Sequence, residues 1–171
     1  MKKQYLLLTA LPLILLAAGT TPGVRATIQT AAQRKLAPEV ALTDSAGKPM
    51  TLADYRGKIV LLNFWATWCG GCKEEMPWYS EFEKTYGPKG FAVIGVSQDE
   101  DGWGIVKPFL ASHTIPYRIV LGNEATGKKY DVDAMPVSLL IDRKGRIAAA
   151  YTGLVDRANI EGNIKQMLAT P

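Results

Sequence analysis

Ile59-Val60-Leu61-Leu62-Asn63-Phe64-Trp65-Ala66-Thr67-Trp68-Cys69-Gly70-Gly71-Cys72-Lys73-Glu74-Glu75-Met76-Pro77 decides the fold of this 171-residue chain. Ile59 to Trp65 is almost wholly apolar and β-rich, the pattern of a central strand covered on both faces. Glu74 to Tyr86 reads as a helix, with Phe82 and Tyr86 four residues apart and Gly87-Pro88 stopping it. Cys69 and Cys72, the only cysteines, therefore fall where a buried strand hands over to a helix.

That position has a chemical reason. The thiolate is the attacking species in thiol–disulfide exchange, and a helix N-terminus stabilises it with free N–H groups and a positive dipole end. Lowering a thiol pKa from ~8.5 to ~7 raises its thiolate fraction at neutral pH from a few per cent to about half. Cys69, nearer the helix end, is assigned as nucleophile, and Cys72, one turn on and more buried, as the resolving thiol. A purely structural disulfide is the weaker reading, because closing so short a loop stabilises by only roughly 2 kcal/mol. A zinc site wants four ligands, whereas two cysteines and the single His113 supply three of the usual kind. A Cu(I) site built on the soft thiolate pair, with His113 or a methionine as third ligand, is the alternative from outside enzymology.

Outward from the motif, Glu39 to Thr43 and Met50 to Leu52 flank the turn Asp44-Ser45-Ala46-Gly47 and predict a hairpin. Phe91 to Val96 reads as a second buried strand. Asp101 to Ser112 predicts a helix interrupted by Pro108, and Tyr117 to Leu121 a short strand. A helical turn over Glu124 to Tyr130 leads to Met135-Pro136. Val137 to Ile141 and Ile147 to Tyr151 then pair as a hairpin, and Arg157 to Leu168 closes the chain as an amphipathic helix. Strands alternating with helices imply an α/β domain over 39–171, a central mixed sheet flanked by helices. Residues 27–38 read as a linker.

Composition first suggests a polyanion-binding protein and then withdraws it. Lys and Arg number 20 against 16 Asp and Glu, for a net charge of +4. Lys2, Lys3 and Arg25, in a 26-residue start that holds no acid, account for three of those four charges. No nucleic-acid partner is expected. Lys2-Lys3, the apolar run Leu6 to Ala18 and the small residues of Val24-Arg25-Ala26 read together as a signal peptide over 1–26. An uncleaved anchor is the alternative, although a spanning helix needs about 20 apolar residues. Either way the domain is expected to be exported to the periplasm or an equivalent extracytoplasmic space, where disulfides persist.

Asn63 to Pro77 resembles the active-site segment of the TlpA-like (ResA/CcmG-type) branch of the thioredoxin superfamily. The resemblance extends through Ala134-Met135-Pro136-Val137 and Leu140 to Arg146 and covers about residues 37 to 169. It implies a thioredoxin-like fold with an N-terminal β-hairpin and a central helix–strand insertion. It further implies a thiol:disulfide oxidoreductase acting on protein disulfides as a reductant, for example on apocytochrome c in cytochrome c maturation. The implied recharging partner is a membrane electron donor of the CcdA/DsbD type. An oxidase or isomerase role is the alternative. Neither a metal nor an organic cofactor is implied, and the molecule is expected to be a monomer.

The resemblance also assigns residues. Pro136 should follow a cis peptide bond beside Cys69 and form the substrate groove with Met135, while Trp68, Gly70 and Gly71 line it. By residue type alone Pro136 would be trans, since only ~5% of X-Pro bonds in folded proteins are cis. Gly71 replaces the proline most members carry between the cysteines. Asn63 stands where thioredoxins have a buried aspartate, so Glu100 is the candidate proton acceptor. Leu62 and Ala66 stand where peroxiredoxins need Pro and Thr or Ser, which weakens a peroxidase reading. Glu74 and Glu75 read as complements to the helix dipole. Pro77 is expected to kink the helix, and His113 to sit at a surface helix end.

Overall fold

The computed structural model describes residues 23–170. In chain order these form β1 (Leu42–Asp44), β2 (Pro49–Met50), β3 (Ile59–Trp65), α1 (Gly70–Tyr86), β4 (Phe91–Ser97), α2 (Trp103–Ala111), β5 (Arg118–Leu121), α3 (Glu124–Lys129), β6 (Val137–Ile141), β7 (Ile147–Thr152) and α4 (Arg157–Ala169). The strands make one sheet in the order β2-β1-β5-β4-β3-β6-β7. β3 lies parallel to β4 and antiparallel to β6. β4 continues parallel to β5, while the β1–β2 hairpin and β7 add antiparallel pairs at the two sides.

Strand alternation builds two cores. Ile59, Leu61 and Trp65 point into a cluster with Met76, Tyr79, Phe82 and Tyr86 of α1 and Ile160, Ile164 and Met167 of α4. Val60, Leu62 and Phe64 point the other way, toward Met50, Leu52, Val120 and Tyr130. All seven residues of β3 are buried, as its unbroken apolar run requires. The α/β architecture, the hairpin and the α2–β5 insertion are those the sequence implied.

Three details differ from the sequence expectations. The hairpin strands are shorter, with only Leu42↔Met50 and Thr43↔Pro49 in register, and Pro49, which has no N–H, suits only a sheet edge. Helix α1 begins at Gly70 rather than Glu74, because Cys69 is its N-cap residue. It runs as one element to Tyr86 with Pro77 inside it.

The signal segment lies outside the described residues up to residue 22, whereas Val24 to Ala26, read as its cleavage end, are bonded to Leu154, Asp156 and Asn159 of the domain. Residues 27–38, read as a linker, lie along the outer side of β7. Gln29 N–H donates to Ala148 O (2.8 Å), and Ile147 N–H donates to Lys35 O (2.8 Å). These bonds cover strand-edge groups that would otherwise face water. Among the described residues no helix is long and apolar enough to cross a membrane.

Phe82 is 1% exposed and sits between the rings of Tyr79 and Tyr86, at 6.2 and 6.1 Å between centroids. Phe82→Ala is expected to lower unfolding stability by about 3–5 kcal/mol in a urea titration. Ile105→Ala, on an exposed side chain, should stay within about 0.5 kcal/mol of the parent.

Candidate active site

The end of β3 delivers Cys69 to the first turn of α1, where it is bonded to Cys72 with 5.3 Å between the Cα atoms. Cys69 is extended and caps the helix, and its Sγ accepts the Cys72 N–H at 3.2 Å. A sulfur in that place takes up one of the free N–H groups and faces the positive end of a 17-residue helix. Both cysteines are buried, Cys72 (1% exposed) more than Cys69 (6%).

Three further segments frame the pair. Asp99, just past β4, accepts from Thr67 N–H (3.1 and 3.0 Å), Thr67 Oγ1 (2.6 Å) and Ser97 Oγ (2.8 Å). This fixes the turn that carries Trp68 and Cys69. The Met135–Pro136 peptide is cis. Pro136 lies against the second inter-cysteine glycine, since a Cβ at Gly71 would stand 3.4 Å from Pro136 Cδ and 3.8 Å from Leu154 Cβ, whereas Gly70 is open. Gly153 N–H donates to Pro136 O at 2.8 Å and ties this loop to residues 153–156.

The remaining predicted site residues fall as follows. Trp68 is 68% exposed beside the dithiol, and Met135 is half-buried against the α1-side core. Glu100 is exposed and shares a cleft of about 320 Å³ with Trp68, Gln98, Asp99, Asp101 and Ile105. His113 is exposed at the end of α2, its ring stacked on Phe109 at 4.0 Å.

Glu75 departs from its expected place. It is 0% exposed, in the second turn of α1, three residues after Cys72 and on the same helix face as Cys72, Met76 and Tyr79. Its Oε1 accepts the Val155 N–H at 2.9 Å, and its Oε2 lies 3.5 Å from Asn63 Nδ2. Asn63 Nδ2 also donates to Ser138 Oγ (3.1 Å), which bonds the Tyr79 hydroxyl (2.8 Å). The asparagine at the position of the thioredoxin aspartate thus turns a donor toward this carboxyl. Burial pushes the Glu75 carboxyl up to about 7 from its ordinary 4.5. The Val155 N–H and the Tyr79 hydroxyl pull it down, and the neighbouring Glu74 charge adds to the rise. Burial and the Glu75 charge push the Tyr79 hydroxyl up as well.

A cysteine pair on the first turn of a helix, beside a cis proline and at the end of the central strand, defines a thioredoxin-fold enzyme of thiol:disulfide exchange. The chain belongs to the redoxin family, whose model matches residues 31–168. It is 36% identical to the thiol-disulfide oxidoreductase ResA of Geobacillus kaustophilus and 34% identical to that of Bacillus anthracis. Each alignment covers 98% of this chain and 99% of the relative. Among solved structures, a candidate DsbE-type thiol:disulfide interchange protein of Chlorobium tepidum is 33% identical. It superposes with a TM-score of 0.76 over 80% of this chain and 97% of that one.

Two residues of the site were missed from sequence, Glu75 and Asp99. Helical phase could have found the first, because positions 72, 75, 76 and 79 share one face once the helix starts at the dithiol. Nothing separates Asp99 from Glu100 and Asp101 in the sequence.

A carboxyl raised on folding favours its protonated form in the native state. The stability it contributes is therefore full below about pH 4.5 and lost as pH rises through about 7. In the oxidised protein the Glu75→Gln variant should gain on the parent across that interval, by roughly 3 kcal/mol at pH 8 relative to pH 4. Urea unfolding of both proteins from pH 4 to 8 gives the difference curve, and a flat difference would contradict the assignment.

Proposed function

We propose that this protein is an exported thiol:disulfide oxidoreductase that reduces protein disulfides, with the disulfide formed by the haem-binding cysteines of apocytochrome c as a substrate of the expected kind. The observation that carries this reading is the Cys69–Cys72 disulfide at the N-terminus of α1 with a buried carboxyl one turn behind it. An extracytoplasmic compartment fits the basic and apolar start of the chain, which reads as an export segment. A membrane electron donor of the CcdA/DsbD type would return the pair to its dithiol form. The chemistry needs no metal or organic cofactor, since two thiols carry both electrons.

In the reduced enzyme the helix N-terminus favours the Cys69 thiolate. Cys69 Sγ attacks one sulfur of the substrate disulfide, forming a mixed disulfide and releasing the other substrate sulfur as a thiolate. Cys72 then loses its proton to the Glu75 carboxylate and attacks Cys69 Sγ. The mixed disulfide breaks, Cys69–Cys72 closes, and the second substrate sulfur leaves as a thiolate that takes up a proton. Two electrons pass from the enzyme dithiol to the substrate. Glu75 takes the proton-acceptor role considered for Glu100, because it is buried on the Cys72 face of α1 and ionises near neutral pH. Met135 and Pro136 would receive the substrate segment, with Gly70 and Gly71 leaving room and Trp68 giving it an apolar wall.

Cys72→Ala should accumulate mixed disulfides through Cys69 with an oxidised C-x-x-C-H peptide, detected by mass spectrometry. Cys69→Ala should lose insulin reduction entirely. Undiminished reduction by Cys69→Ala, or trapping through Cys72 in its place, would refute the assignment.

A further inference from the structure

The segment Gly23–Ala26 lies against the loop that supports the redox site and the start of α4, with Val24, Arg25 and Ala26 each bonded there. Val24 N–H donates to Leu154 O at 2.7 Å and Asp156 N–H donates to Val24 O at 2.8 Å, so Val24 grips the residues on either side of Val155. Val155 N–H is the donor to Glu75 Oε1. Arg25 pairs with Asp156 at 2.8 Å. Ala26 N–H donates to Asn159 Oδ1 (2.9 Å), and Ala26 O accepts from Asn163 Nδ2 (2.8 Å). Gly23 leaves no room for a side chain, since a Cβ there would lie 2.6 Å from Asp156 N and from Val155 C and O. Those atoms are backbone and cannot swing aside. The same loop holds Pro136 through Gly153 N–H, so one short segment braces both the proton acceptor and the proline beside the dithiol.

We propose that Gly23 and Val24, read from sequence as the end of the export segment, stay with the exported domain and are positioning residues of the redox reaction, clamping Leu154–Asp156 so that the Val155 N–H stays on the Glu75 carboxylate. The inference rests on Glu75 as proton acceptor for Cys72. The titratable groups that face Glu75 are Cys72, Glu74 and Tyr79 on its own helix and Tyr117 ahead of β5, while Asp156 lies on the clamped loop. These are acids, phenols and a thiol. Donated hydrogen bonds are therefore what favours the ionised carboxylate, and the Val155 N–H leads them. A clamp that slackens withdraws this donor.

The test compares the pH profile of single-turnover disulfide reduction, from pH 5.5 to 9, in the full chain and three variants. Gly104→Ala, a position with nothing within 4 Å of an added Cβ, is the control and should match the parent. Gly23→Ala should move the midpoint near 7 upward by about one pH unit, slowing the reaction about fivefold at pH 7 while leaving pH 9 unchanged. Glu75→Gln should abolish the midpoint. An unshifted or lowered midpoint in Gly23→Ala, with the midpoint lost in Glu75→Gln, overturns the clamp alone. A midpoint retained in Glu75→Gln overturns the proton-acceptor role and the clamp with it. If Gly23→Ala does not fold, Arg25→Ala, which removes an exposed ion pair of the same segment, should shift the midpoint in the same direction by about twofold in rate at pH 7. No shift in that variant overturns the clamp.

Discussion

A carboxyl group buried one helical turn behind a dithiol, with no ion-pair partner among the described residues, constrains the rest of this structure. Glu75 cannot be placed there unless donors reach it, because a buried ionised group lacking hydrogen bonds is strongly disfavoured. The donors come from separate parts of the chain: the Val155 backbone 80 residues later and, at longer range, the Asn63 amide on the central strand. Ser138 on β6 orients Asn63, and Tyr79 bonds Ser138. The β3–β6 pairing, which sets Asn63 opposite Ser138, is therefore part of the redox site as well as of the core.

On the other side of the dithiol the constraint is geometric. Cys69 must present its sulfur at the helix N-terminus, which fixes the backbone from Ala66 to Gly70. Asp99 does this through Thr67, and Cys69 N–H returns a bond to Ala66 O at 3.1 Å. Two carboxylates thus serve different ends. Asp99 is fully engaged in hydrogen bonds that shape a turn, while Glu75 keeps a carboxyl that can change its proton near neutral pH.

How much of this the sequence discloses depends on the kind of interaction involved. β3 is legible residue for residue, because burial on both faces leaves an unbroken apolar run. The dithiol is legible because two cysteines at one spacing beside a helix start leave few other uses. The cis bond before Pro136 came from the family resemblance, since residue type alone points to trans. Glu75 was hidden by its neighbour: Glu74-Glu75 looks like a pair of dipole complements until the phase of α1 turns one of them inward. Residues 23–36 looked like the end of an export segment and a linker, because they bind mostly through backbone groups, which leave no side-chain periodicity to read.

The most direct test of the account is a carboxyl-carbon NMR titration of Glu75 in the oxidised protein. A midpoint near 7 is expected for a carboxyl held by burial against the pull of the Val155 N–H. A midpoint near the ordinary 4.5 would mean that the group is solvated, and would contradict its proposed role as the proton acceptor of the dithiol.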